Sequence, residues 1–158
     1  KTDKADITIV VHDLNTGMQP KLGFSIKSML GHKSTLFNPG NTTNFIYELI
    51  GNTPLNIDEI NGIFDSPKIP NRLEYIKSKG FNIVFVNIQS PTLKLNLQLI
   101  DSDLPQILAE LLLIKYSSFR SASLTSMLNE LIIKNPLNFD LSQGHPFYEY
   151  KIKNFLKH

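Results

Sequence analysis

The chain has no cysteine, which excludes a disulfide framework, thiolate-held zinc and a cysteine nucleophile, and fits a reducing cytoplasm. Any metal it holds must sit among oxygen or histidine ligands. Long apolar runs are missing too: Leu104 to Ile114 is interrupted by Pro105, Gln106 and Glu110, well short of the roughly 18 residues of a membrane span. A soluble protein with no membrane partner is expected. Charge of one sign is scarce, with 16 Lys and Arg against 14 Asp and Glu and a formal net charge of +2. Such a balance permits nucleic-acid binding without demanding it. There is no glycine-rich phosphate loop, no Gly-x-Ser-x-Gly elbow and no dinucleotide fingerprint, so nucleotide-dependent and serine-hydrolase chemistry fall away. His12, His32, His145 and His158 show no metal-ligand spacing, which argues against zinc. The chain begins at Lys1 without an initiator Met or a leader pattern, and reads as a piece of a longer chain.

What is present suffices for one core: 158 residues, 41% of them hydrophobic, suggest a single domain over 1–158. Ile7 to Val11 is apolar and β-branched, and Lys21 to Ser28 alternates Leu22, Phe24 and Ile26 with Gly23, Ser25 and Lys27. Both read as strands, and the turn residues Asn15, Thr16, Gly17 and Pro20 join them into an antiparallel hairpin. Helical spacing is read over Thr42 to Ile50, with Asn41 or Thr42 as cap and Gly51 as stop. Short surface helices are expected at Ile57 to Phe64, after the Asn56 cap signal, and at Arg72 to Ser78. Phe81 to Ile88 reads as a central strand, and the alternating Leu93, Leu95, Leu97 and Leu99 as a half-exposed one. Helices follow over Ser102 to Ser117, Ser123 to Lys134 and Phe147 to Leu156. This order predicts an α/β (α+β) domain with a mixed central sheet flanked by helices.

If the hairpin closes near Thr16, paired residue numbers sum to roughly 31 to 33, which sets Asp6 opposite Ser25 to Lys27. Burying Ile7, Ile9 and Val11 with Leu22, Phe24 and Ile26 requires an odd sum, and Asp6 then shares a face with Ser25 and Lys27. Asp13 sits beside the turn, roughly 20 Å along the ladder from Ser25, and Asp3 lies beyond the pairing. Asp6 therefore ranks first among the acids. An acid beside a lysine on adjacent strands can hold a divalent cation and assist water attack on phosphate. It can equally be an ordinary cross-strand ion pair.

Lys-Ala-Asp-Ile (4 to 7) followed by Gly-Phe-Ser-Ile-Lys-Ser (23 to 28) resembles the core of PD-(D/E)xK nucleases. Leu30-Gly31, Ser34-Thr35-Leu36, Asn38 and Thr43-Asn44-Phe45 resemble the run after the catalytic strand in the HpaII-type restriction endonuclease family, and Tyr148 to Leu156 is similar to its Lys-rich helix. The resemblance implies a PD-(D/E)xK fold and a Mg²⁺-dependent homodimer cutting double-stranded DNA at a short site. It maps the motif Asp to Asp6, the second motif position to Ser25 and the motif lysine to Lys27. It also makes the backbone carbonyl of Ile26 a metal ligand beside Asp6. Ser25 departs from the pattern, since an Asp or Glu is usual there and one charged ligand is lost. Glu48 is the available replacement on the expected following helix, sharing a face with Asn44; it can also be a solvated glutamate.

The polar loop Gly31 to Thr43 contains residue types that read base edges, Lys33 among them as a candidate DNA contact, and the resemblance raises Ser34, Thr35, Asn38 and Asn44 as DNA contacts above the rest. An ordinary turn-rich connection explains any one of them as well. Arg120 could touch phosphate, though a surface or cap role fits it better. The alternative to an endonuclease is a catalytically inactive DNA-binding domain that keeps the fold and has lost its metal through Ser25. A third reading is a structural domain in which Asp6 and Lys27 are only an ion pair.

Overall fold

The computed structural model describes residues 7–10, 17, 19, 21–24, 40–120 and 123–157. They fall in two compact units, Lys1–Asn38 and Pro39–His158. In the first, β1 (Ile7–Val10) pairs antiparallel with β2 (Lys21–Phe24). The partners are Ile7 with Phe24, Thr8 with Gly23, Ile9 with Leu22 and Val10 with Lys21, so every pair sums to 31. That is the odd register expected from face matching. Gly17 in the connection has φ +68°, the left-handed region that tight turns assign to glycine. Ile9, expected on a buried face, is exposed, because a two-stranded ribbon has no second layer of its own to stack on.

The second unit is mixed α/β. It runs β3 (Phe45–Ile50), α1 (Ile57–Asn61), α2 (Lys68–Ser78), β4 (Asn82–Ile88), α3 (Pro91–Ile100), α4 (Leu104–Ser117), α5 (Leu124–Lys134) and α6 (Phe147–Phe155). Among the described residues the strands form two separate two-stranded antiparallel sheets, β1–β2 and β3–β4. The core is organised around α4, whose Leu104, Ile107, Leu108, Ala109, Leu111, Leu113 and Ile114 are buried. A helix apolar on nearly every side belongs inside, and α4 touches α2, α3, α5, α6 and β4. The expected helices over 57–64, 72–78, 102–117, 123–134 and 147–156 and the strand over 81–88 are present with shifted ends, but among the described residues that strand pairs only with β3, antiparallel, rather than standing at the centre of a mixed sheet. The Asn56 side chain caps α1 by accepting from the amides of Asp58 and Glu59.

Two expected elements are corrected. The stretch 42–50 is not a helix: 45–50 is β3, paired with β4 from Phe45–Ile88 to Ile50–Asn82. Phe45 and Leu49 are four apart, a spacing that a helix face and one side of a strand both satisfy. The alternation of half-buried Phe45 and Tyr47 with exposed Ile46 and Glu48 settles the period. Conversely, 93–99 is not a strand but lies within α3. Ser90 Oγ accepts from the Leu93 amide at 3.3 Å and Pro91 occupies the first turn, which together start a helix. The leucines then point around the axis, leaving Leu97 3% exposed and Leu99 85% exposed.

The β3–β4 ladder contains one irregularity. Ile46 pairs with Asn87 but Tyr47 pairs with Phe85, so β4 carries an extra residue, Val86. Phe85 and Ile88 are three apart and would face opposite sides of a regular strand; the bulge brings both inward, where Ile88 is 1% exposed. Gly51 closes the strand against Phe81, whose buried ring occupies the space a Cβ would need.

Candidate functional site

Asp6, Ser25, Ile26, Lys27, Lys33, Ser34, Thr35 and Asn38 lie outside the described residues. The described part of the hairpin ends at the Ile7–Phe24 pair, the sequence neighbours of Asp6 and Ser25. Asn44 and Glu48 are described. Glu48 lies on β3 opposite Val84, on the side where Ile46, Ile50, Val84 and Val86 are exposed. Among the described residues its carboxylate has neither a hydrogen bond nor an ion pair. The strand keeps Asn44 and Glu48 on one side, but spreads them over about 13 Å rather than one helical turn.

Asn44 stands at the end of the β3–β4 ladder. Its carbonyl accepts from the Gln89 amide at 2.9 Å, and its Nδ2 donates to Gln89 Oε1 at 2.9 Å. Two steps along, Lys94 Nζ on α3 donates to Asn87 Oδ1 at 2.9 Å. Among the described residues no carboxylate lies within ion-pair distance of Lys94. These are hydrogen-bonding groups on the rim of a sheet. Gln89, Asn87 and Lys94 were not singled out from sequence. The signal available was the polar break Gln89-Ser90 between an apolar strand and the proline that opens α3.

Elsewhere the polar clusters explain structure. Lys151 Nζ lies 2.6 Å from Asp101 Oδ2 and 3.0 Å from Asp103 Oδ2, tying α6 to the start of α4. The fully buried Tyr148 donates to Asn135 Oδ1 at 2.8 Å and accepts from the Leu137 amide at 3.1 Å. The Lys-rich helix picked out by resemblance is therefore anchored through its own motif residues. Tyr47 donates to the Ala109 carbonyl at 2.7 Å. Burial, and next the charge of Glu110, push its phenol up beyond any physiological titration, so it acts as a fixed donor. Glu59, bonded by Tyr75 and Asn56, is held below the usual carboxylate range. Arg120 sits in an exposed turn whose carbonyl and amide both bond Ser118 Oγ. His145 meets the edge of Phe147. No group of three or more His, Asp or Glu poised for a metal occurs among the described residues. No helix among them is long and apolar enough to cross a membrane.

The family model described as HpaII restriction endonuclease matches residues 1–158. A curated relative, "Type II restriction enzyme HpaII" of Haemophilus parainfluenzae, is 42% identical over 155 residues. The match covers 98% of this chain but 42% of that protein, so the chain spans about two fifths of its relative's length. No solved structure matches.

Proposed function

From the premise that this chain belongs to the HpaII restriction endonuclease family, we propose that it is the catalytic part of a site-specific type II endonuclease hydrolysing phosphodiester bonds of double-stranded DNA with Mg²⁺. The observation that carries the reading is the hairpin register. Its constant sum of 31 over the described pairs, Ile7–Phe24 to Val10–Lys21, is the odd register on which the expectation for Asp6, Ser25 and Lys27 rests; those three lie outside the described residues. The fold in this reading is PD-(D/E)xK-like, its central sheet flanked by helices. The enzyme works in the cytoplasm as a homodimer, whose two-fold symmetry matches a duplex cut on both strands.

The donors assigned to the cation are the Asp6 carboxylate, the Ile26 backbone carbonyl and the Glu48 carboxylate. All are hard oxygens, and there is no thiolate in the chain, so the set fits Mg²⁺ better than zinc. Glu48 no longer rests on a helix; its support is an exposed carboxylate without a partner among the described residues. When bound, the cation supplies charge neutralisation at the scissile phosphate. Lys27 orients the attacking water and steadies charge developing on the phosphoryl oxygens. Ser25 contributes a hydroxyl that positions the water or phosphate without adding negative charge. Lys33, Ser34, Thr35, Asn38 and Asn44 contact the DNA.

Lys27→Ala is expected to abolish Mg²⁺-dependent plasmid cleavage while duplex binding stays measurable by fluorescence anisotropy. Unimpaired cleavage by that variant overturns the assignment. Ser25, standing where an acid is usual, is the observation behind the rival reading of a non-cleaving DNA binder. Tight duplex binding by the unmodified protein, with no nicking across a Mg²⁺ titration, would establish that rival.

A further inference from the structure

We propose that Asn44 and Gln89 act as one preorganised amide pair that reads the edge of a base pair in the cleavage site, with Gln89 a specificity-determining residue. The inference deepens the nuclease reading and rests on it. The main-chain bond from Gln89 to Asn44 extends the β3–β4 ladder one step beyond Phe45–Ile88. It sets the two side chains opposite one another, and the Asn44 Nδ2 to Gln89 Oε1 bond of 2.9 Å locks them together.

The lock consumes one donor of Asn44 and one acceptor of Gln89. A side-chain amide has two N–H donors and one carbonyl acceptor. The pair therefore keeps both Gln89 side-chain donors, together with Asn44 Oδ1 and the second Nδ2 hydrogen, and among the described residues none of these has a partner. Both side chains are exposed, where water competes for every hydrogen bond, so the pair contributes little to folding. What it does supply is two amides already fixed, whose ordering a ligand need not bring about.

A donor beside an acceptor is the complement of an acceptor beside a donor. In the major groove that arrangement is offered by N7 and N6 of adenine, or by O6 of guanine and N4 of its cytosine partner. Two neighbouring features suit the same ligand. Lys94, held by Asn87 two steps along the ladder, has no carboxylate within ion-pair distance among the described residues and can take a backbone phosphate. The bulge at Val86 is what turns Gln89 outward: in an unbroken strand residue 89 would share the inner side with Ile83 and Phe85.

The test is cleavage of a randomised duplex library by the whole protein with Mg²⁺, the ends being read by sequencing. Gln89→Glu keeps the oxygen that holds Asn44 but replaces the outward donors by an acceptor. It is expected to shift preference at one base-pair position toward a donor-bearing edge and to slow cutting of the original site at least tenfold. All other positions should keep their preference, and the melting midpoint should stay put. Asn44→Ala, on the other strand of the sheet, is expected to relax the same position. The direction of the Gln89→Glu shift separates an adenine from a G·C target. An unaltered preference profile in both variants, whether cutting is fast or uniformly slow, shows a clamp at the sheet end and overturns the inference alone. An unmodified protein that leaves the library uncut overturns the nuclease reading itself.

Discussion

Lys151 illustrates how one side chain can tie a helix down. Burial by itself would lower the affinity of its ammonium for the proton, but hydrogen bonds to Asp101 and Asp103 outweigh this and hold it above the ordinary lysine value of 10.5. The folded chain therefore binds the proton more tightly than the unfolded chain does. The resulting stabilisation is fully present below pH 10.5 and is lost as pH rises through the higher folded value. Lys151→Met should accordingly lower the melting midpoint at pH ~8, and the gap to the unmodified protein should narrow by pH ~11.5. Thermal melts at both values check this, and a gap that widens with pH would contradict it. The pair is partly exposed, at 18% for Lys151 and 24% for Asp101, so its contribution is expected to stay near the ~1 kcal/mol typical of screened pairs.

Among elements, α3 separates two periods that look alike on paper. Leu93, Leu95, Leu97 and Leu99 would be equivalent in a strand. In the helix Leu97 is enclosed and Leu99 faces water. Leu97→Ala should cost about 2–4 kcal/mol in denaturant unfolding, and Leu99→Ala under about 0.5 kcal/mol; equal costs would restore the strand. Continuous apolar character was enough to read β4 and α4 from the residues, and face matching was enough to obtain the hairpin register. Short runs such as 42–50 satisfy both periods, and only pairing with a strand some forty residues away decided between them. Of the candidate site, Asn44 and Glu48 were singled out from the residues and remain proposals, whereas Gln89 was not singled out, because a bulge that changes which side a residue faces leaves no mark in hydrophobic alternation.

For the whole molecule, a net charge of +2 spread over 158 residues means that the duplex affinity proposed for it would come from a local set of cations rather than from an overall field. Log affinity for a duplex should fall linearly with log salt, with a slope of about −3 or steeper if several phosphates are neutralised. Anisotropy titrations between ~50 and ~200 mM salt test this, and a flat response would remove DNA as the partner. Chelating the divalent cation should stop cleavage and leave that binding curve in place.

The extra residue in β4 has a genetic consequence as well. Val86 is exposed and has no Cα partner in the ladder, so exchanging it for other residues should be tolerated. So should its removal. A single-codon deletion there would join Phe85 directly to Asn87 and turn the irregularity into a regular ladder, in which Ile88 still faces inward and Gln89 outward. At position 86 a codon can be lost without moving any neighbour to the other side of the sheet.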